Sequence, residues 1–149
     1  MLKALVPVDG SENSLAAVRH AIEFIQFHEK MEIHLLNVQP PLRGDVTAFV
    51  PEAAVHDYHM DAAEEALRPA CELFDRAGIP YTRHVFVGHA ADVIAQFAHD
   101  LHCDQVIMGT HGYGTIGQLL HGSVSHEAIH RIDPHIAVTL VKPDHNAAA

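Results

Sequence analysis

Between Gly109 and Gly122 the chain reads GTHGYGTIGQLLHG, five glycines in 14 residues, and Ser123-Val124-Ser125 follows. Glycine lets a backbone take positive φ and approach a ligand closely, and the unpaired amides of a helix N-terminus favour phosphate oxygens. A plain connection ending in a serine cap would not need so many glycines, so the segment is expected to cradle phosphate groups. Two known glycine patterns within it fail on their surroundings. Gly112-x-Gly114-x-x-Gly117 has the letters of a dinucleotide fingerprint, but it follows the fourth strand pattern, and no acidic residue ends the next strand to hold a ribose. Gly117-x4-Gly122 approaches a P-loop, yet Ser123-Val124 follows where Lys and then Ser or Thr are required.

Two further groups of residues could do chemistry. Pro7-Val8-Asp9-Gly10-Ser11 places a carboxylate in a turn beside apolar residues; Asp9 either bonds its own turn or offers an acceptor to a ligand. His126-Glu127-Ala128-Ile129-His130 spells HExxH, which on a helix can offer zinc two imidazoles with a glutamate base between them. At about 100° per residue, however, Val124, Ala128, Ile129 and Ile132 share one face, and the two histidines fall opposite, toward solvent. Asp133 and Ile136 occupy the places where the longer motif needs glycine and a third histidine. No resident metal is expected there, only adventitious binding of a transition metal to surface imidazoles.

Short apolar runs rich in β-formers alternate with longer stretches of helical period, the pattern of a parallel sheet with helices on both faces. Strands are expected over residues 3–8, 32–38, 81–87, 104–108 and 136–141. Ser11 should cap a helix bearing Leu15, Val18, Ile22 and Ile25. A second helix should span residues 52–77, kinked or broken at Pro69 and stopped by Gly78. Val93, Ile94, Phe97, Ala98 and Leu101 mark a third helix, and a short fourth starts near Ser123. Pro40 to Pro51 reads as a long loop. The expected fold is an open twisted five-stranded parallel sheet in one domain, with its ligand crevice beyond the carboxyl ends of the strands.

Composition narrows the partners. Nine Lys and Arg against 19 Asp and Glu give a formal charge of −10, which would repel a nucleic-acid backbone. No apolar run approaches the roughly 18 residues of a spanning helix, and the amino terminus leads straight into a strand pattern, so a cytoplasmic protein with no membrane partner is expected. Cys71 and Cys103 form no CxxC pair and read as core thiols. Fifteen scattered histidines read as surface residues that make charge depend on pH.

Three of these segments, in order and at matching separations, resemble one family. Leu5-Val6-Pro7-Val8-Asp9-Gly10-Ser11, Gln105-Val106-Ile107-Met108-Gly109-Thr110-His111-Gly112 and Gly122-Ser123-Val124-Ser125, with the spacing Gly109-x2-Gly112-x9-Gly122-Ser123, resemble the ATP-binding subgroup of the universal stress proteins. The resemblance covers nearly the whole chain. It implies a Rossmann-like, adenine nucleotide alpha hydrolase-like fold and a stress-response regulator that binds ATP, with Mg²⁺ or Mn²⁺ held through the phosphates. Adenine and ribose would lie against Pro7, Val8, Asp9, Val38 and Met108. The phosphates would meet Gly109, Gly112, Gly122, Ser123, Val124 and Ser125. Tyr113 departs from the basic or small residue common after the second glycine, and Asp133-Pro134-His135 departs from the usual entry to the last strand. Slow ATP cleavage is the most catalysis expected, and His111 and His121 beside the cradle do not identify a general base. An adenylyl- or phosphoryl-transferring enzyme of similar fold, and a dimeric scaffold that no longer uses nucleotide, are the rival readings. The last strand, with Ile136 first and Val141 last, carries no charge and should lie at a sheet edge, and the resemblance implies a homodimer through it.

Overall fold

The computed structural model describes residues 1–110 and 123–143. Its elements follow in the order β1 (Leu2–Pro7), α1 (Glu12–Phe27), β2 (Met31–Gln39), α2 (Gly44–Thr47), α3 (Glu52–Ala77), β3 (Tyr81–Val87), α4 (Ala90–Asp100), β4 (Gln105–Gly109), α5 (Ser123–Arg131) and β5 (Ala137–Val141). The strands form one parallel sheet in the order β3-β2-β1-β4-β5. Because the chain winds to one side of β1 first and to the other side from β4 onward, the strand order reverses between β1 and β4, where ligand crevices form in open α/β sheets.

Alternation along the strands divides the core into two layers. Ala4 and Val6 of β1, Val8 just after it, Ile33 and Leu35 of β2, and Ile107 of β4 pack with Leu15, Val18 and Ala21 of α1 and Leu67, Ala70 and Phe74 of α3. Leu5, Leu36, Val38, Val106 and Met108 face the other way, against Ala91, Ile94 and Ala98 of α4 and Ala128 and Ile132 of α5. Helices therefore cover both faces, as expected. Both cysteines are buried and unpaired.

Local signals hold at most boundaries. Ser11 Oγ accepts from the amide of Ser14 and caps α1, while Gly78, with φ of 70°, closes α3 in the left-handed conformation. Strand limits differ from the expected ones by one residue at several ends. Three expectations need correction. Of the kink or break expected at Pro69, the break does not occur, and the helix α3 continues from Glu52 to Ala77; Pro69 and Glu65 line an open cleft, where water can replace the missing amide as a partner for the Glu65 carbonyl. The stretch between Pro40 and Pro51 contains a short helix, α2, and is anchored where buried His59 of α3 meets the Pro40 carbonyl at 3.2 Å. Two histidines expected at the surface, His34 and His59, are buried, since each has a hydrogen-bond partner that offsets the loss of water.

Candidate nucleotide site

The carboxyl ends of β1, β2 and β4 converge at the strand-order reversal. The turn after β1 is built from its own hydrogen bonds. Asp9 Oδ1 accepts from the Ser11 amide at 2.9 Å, the Asp9 amide donates to Ser14 Oγ at 3.3 Å, and Ser14 Oγ donates to the Ser11 carbonyl at 3.0 Å. Gly10 sits at φ of 87°, a conformation L side chains rarely adopt, and a Cβ there would lie 3.3 Å from the Ala66 backbone of α3. Asp9 therefore does hold its own turn, which occupies one face of its carboxylate.

Asn37, which sequence reasoning missed, ties this turn to β2. It is 1% exposed, its Nδ2 donates to the Val8 carbonyl at 2.8 Å, and its Oδ1 accepts from Gln39 Nε2 at 2.7 Å. A lone amide side chain within the apolar run of β2, directly before Val38, was the available signal.

At the end of β4 the backbones pack more tightly. A Cβ on Gly109 would meet the Asn13 carbonyl oxygen of α1 at 2.3 Å. The Gly109 backbone thus has a structural reason to be glycine whatever binds nearby. Thr110 continues the strand by donating its amide to the Val141 carbonyl at 3.1 Å, and Ser125 Oγ lies 3.5 Å from the Thr110 carbonyl, joining the start of α5 to the end of β4.

Of the expected site residues, Pro7, Val8, Asp9, Val38, Met108 and Gly109 gather at these strand ends, and Val124 and Ser125 stand in the first turn of α5 with Ser123 at its start. Val8, Val38 and Met108 are buried, Val8 toward α1 and α3, Val38 and Met108 toward α4 and α5. They back the strand ends from opposite layers of the core. Gly112 and Gly122 lie outside the described residues, as do Tyr113, His111 and His121.

An open cleft of about 530 Å³ extends from Asp9 and Gly10 along α3, lined by Ala62, Glu65, Ala66, Arg68, Pro69 and Glu72. Its three carboxylates against one guanidinium suit a neutral, hydrogen-bonding group better than an anion. A larger groove of about 860 Å³ lies between α4 and α5, away from the strand ends. Its charged groups pair with one another: Arg131 with Asp92 at 3.1 Å, and His135 and His99 with Asp133 at 3.1 and 3.7 Å.

The HExxH residues are engaged differently from a zinc site. Glu127 meets His89 Nε2 at 2.6 Å and Arg131 at 3.7 Å, and the His89 contact, aided by Arg131, holds its carboxyl below the usual range. His126 and His130 are exposed and stack edge-on, with ring centroids 4.9 Å apart. The buried face of α5 is Ser125, Ala128 and Ile132. Ile129, expected on that face, is 40% exposed.

The family model described as the universal stress protein family matches residues 1–142. The chain belongs to the universal stress protein family. Among curated relatives, universal stress protein MJ0531 of Methanocaldococcus jannaschii is 28% identical over 146 residues, spanning 94% of this chain and 81% of that protein. Among solved structures, hypothetical protein MJ0577 superposes with a TM-score of 0.79 at 26% identity, covering 97% of both chains. The Arabidopsis thaliana universal stress protein family member At3g01520, solved with AMP bound, superposes with a TM-score of 0.70 at 17% identity, covering 100% of this chain and 96% of the other. That likeness is one of fold.

Proposed function

We propose that this universal stress protein binds ATP at the carboxyl ends of β1, β2 and β4 and acts as a regulator whose ATP-loaded state its partners distinguish from its empty or hydrolysed state. The observation that carries this reading is the convergence of the Asp9 turn, Val38, Met108 and Gly109 with the N-terminus of α5 at one strand-order reversal. The electrostatics orient the ligand. The acidic cleft beside Asp9 repels phosphate, so the nucleoside occupies that side and the phosphates point toward Gly112, Gly122 and Ser123, where amides and the positive end of the α5 dipole favour anions. Mg²⁺ or Mn²⁺ would be held through the phosphates and would neutralise part of their charge. The AMP seen in At3g01520, a protein of the same fold, supports an adenine nucleotide as the ligand class.

Calorimetric titration with Mg-ATP tests the site. Gly122→Val puts a branched side chain where phosphate must approach, and its affinity should fall by about tenfold or more, equivalent to roughly 1.4 kcal/mol or more. A variant that binds as tightly as the wild type would place the cradle elsewhere.

The same reading includes a homodimer through β5. This strand is an edge of the sheet, and Leu140 is 42% exposed. Ala137 donates its amide to the Asp104 carbonyl, and the Val141 carbonyl accepts from Thr110, so by alternation the backbone groups of Val138 and Leu140 point away from β4. These outward groups are open to pairing with a second copy about a two-fold axis. Val138→Pro removes an outward donor while sparing the bonds to β4. It should shift the protein toward monomer in sedimentation with ATP binding retained; an undiminished dimer would exclude this contact.

A further inference from the structure

On the sheet face covered by α4, three titratable residues form a line that the nucleotide site does not use. Glu32 Oε2 lies 2.6 Å from His34 Nε2, and His34 Nδ1 lies 2.8 Å from His84 Nε2. His34 is 8% exposed, in the middle of β2, and its ring stacks on that of His84, 5.1 Å away and inclined by 23°. His84 belongs to the edge strand β3 and packs edge-on against Phe97 of α4, as does Phe86. Lys3 of β1 approaches Glu32 at 3.6 Å and donates to the Leu101 carbonyl. Asp104 accepts from the Lys3 amide, and burial pushes the neighbouring Cys103 thiol up to about 11, so that thiol stays neutral. The charged groups of α4 turn elsewhere: Asp92 to Arg131, His99 to Asp133 and Asp100 to Gln96. Phe97 is what α4 presents to His84.

Proton bookkeeping follows from these contacts. A carboxylate only accepts, so His34 Nε2 carries hydrogen. With both rings neutral, His34 Nδ1 is then an acceptor, and His84 Nε2–H donates to it. One added proton leaves a single hydrogen between the rings. Two added protons put N–H against N–H at 2.8 Å in a half-buried place, and the contact cannot persist.

We propose that Glu32, His34 and His84 form an acid-released latch that fastens the edge strand β3 to β2 near neutral pH and lets it go as both imidazoles become charged. Among the described residues β3 has a hydrogen-bonded neighbour on one side only, so breaking the latch loosens it against β2 and α4. Its carboxyl end reaches the candidate site, because the Gly88 amide donates to the Gln39 carbonyl one residue beyond Val38. Burial, reinforced by the charge of His34, lowers the pKa of His84 below its ordinary 6.5. The unfolded chain therefore binds this proton at higher pH than the folded one, so stability is full above about 6.5 and declines as pH falls from there. Glu32 is held below its ordinary 4.5, first by the His34 hydrogen bond, so its own contribution is lost only at more acid pH and the two windows separate.

The test is residue-resolved amide exchange, expressed as protection factors, between about pH 7 and about pH 5, the range in which histidine charges. The Gly88 amide faces β2, so by alternation those of Thr82, His84 and Phe86 do as well. In the wild type their protection should fall relative to amides of β4 as the pH is lowered across this range. In His84→Phe, which keeps a ring against Phe97, and in His84→Gln, which keeps a hydrogen-bonding group, the ratio of β3 to β4 protection should not change with pH. A ratio constant with pH in the wild type overturns the latch, and so does an equal fall in a folded His84 variant.

Discussion

The turn after β1 and the end of β4 lie at neighbouring strand ends and each rests on a glycine, yet different forces shape them. The first is a local device: Asp9 and Ser14 close it with side-chain hydrogen bonds, and Gly10 supplies a positive φ. The second is a long-range one: Gly109 is small because the backbone of Asn13, on another element, lies where its Cβ would be. A glycine read as ligand contact from the sequence can thus be fixed by packing alone. Binding at such a position uses a backbone already brought close for another reason.

Substituting the two glycines separates these causes, and Gly109→Ala should have the largest effect. The atom in the way is backbone and cannot rotate aside, so α1 or β4 must shift, at the upper end of the roughly 1–3 kcal/mol typical of overpacking. Gly10→Ala meets backbone at 3.3 Å, a tight contact but a far smaller conflict than that at Gly109, and adds strain in φ on the order of 1–2 kcal/mol. Denaturant titration of both variants should rank them in that order. Equal losses would mean that the turn after β1 is as tightly packed as the end of β4, and the distinction between them would fail.

The difference also explains what could be read in the sequence. The sheet, its two helical layers, the Ser11 cap and the Gly78 stop are matters of local period and cap chemistry, and they were legible in the spacing of Leu15, Val18 and Ala63, Leu67, Phe74. The Asp9 turn was legible for the same reason: it is encoded within three residues. The clash at Gly109 was not legible, because Asn13 is about a hundred positions away in sequence and only folding brings its carbonyl there. Asn37 and His34 were hidden similarly. Each sits in the apolar run of β2, and its partner, the Val8 carbonyl or the His84 ring, comes from a neighbouring strand. The continuity of α3 through Pro69 depends likewise on a cleft open to water beside it, which local rules for proline do not anticipate.

The smallest expected effect on stability sharpens the comparison most. Asp9 serves the turn through Oδ1, which accepts from the Ser11 amide, and in the proposed complex its carboxylate also accepts a hydrogen bond from the nucleoside. Asp9→Ala removes both roles and conflates them. Asp9→Asn keeps a carbonyl oxygen for Ser11 but replaces the second oxygen with an amide that only donates. Its stability should therefore lie closer to the wild type than that of Asp9→Ala, which loses the bond from Ser11 and with it about 1 kcal/mol, the usual net worth of one such bond. If Asp9 meets the nucleoside, both variants should weaken ATP by about tenfold, while inorganic triphosphate, which has no nucleoside, should bind each of them as it binds the wild type. Equal losses for ATP and triphosphate in Asp9→Ala, with wild-type binding of both in Asp9→Asn, would assign Asp9 wholly to its turn. The turn after β1 would then act on ligand as Gly109 does, through the backbone it positions.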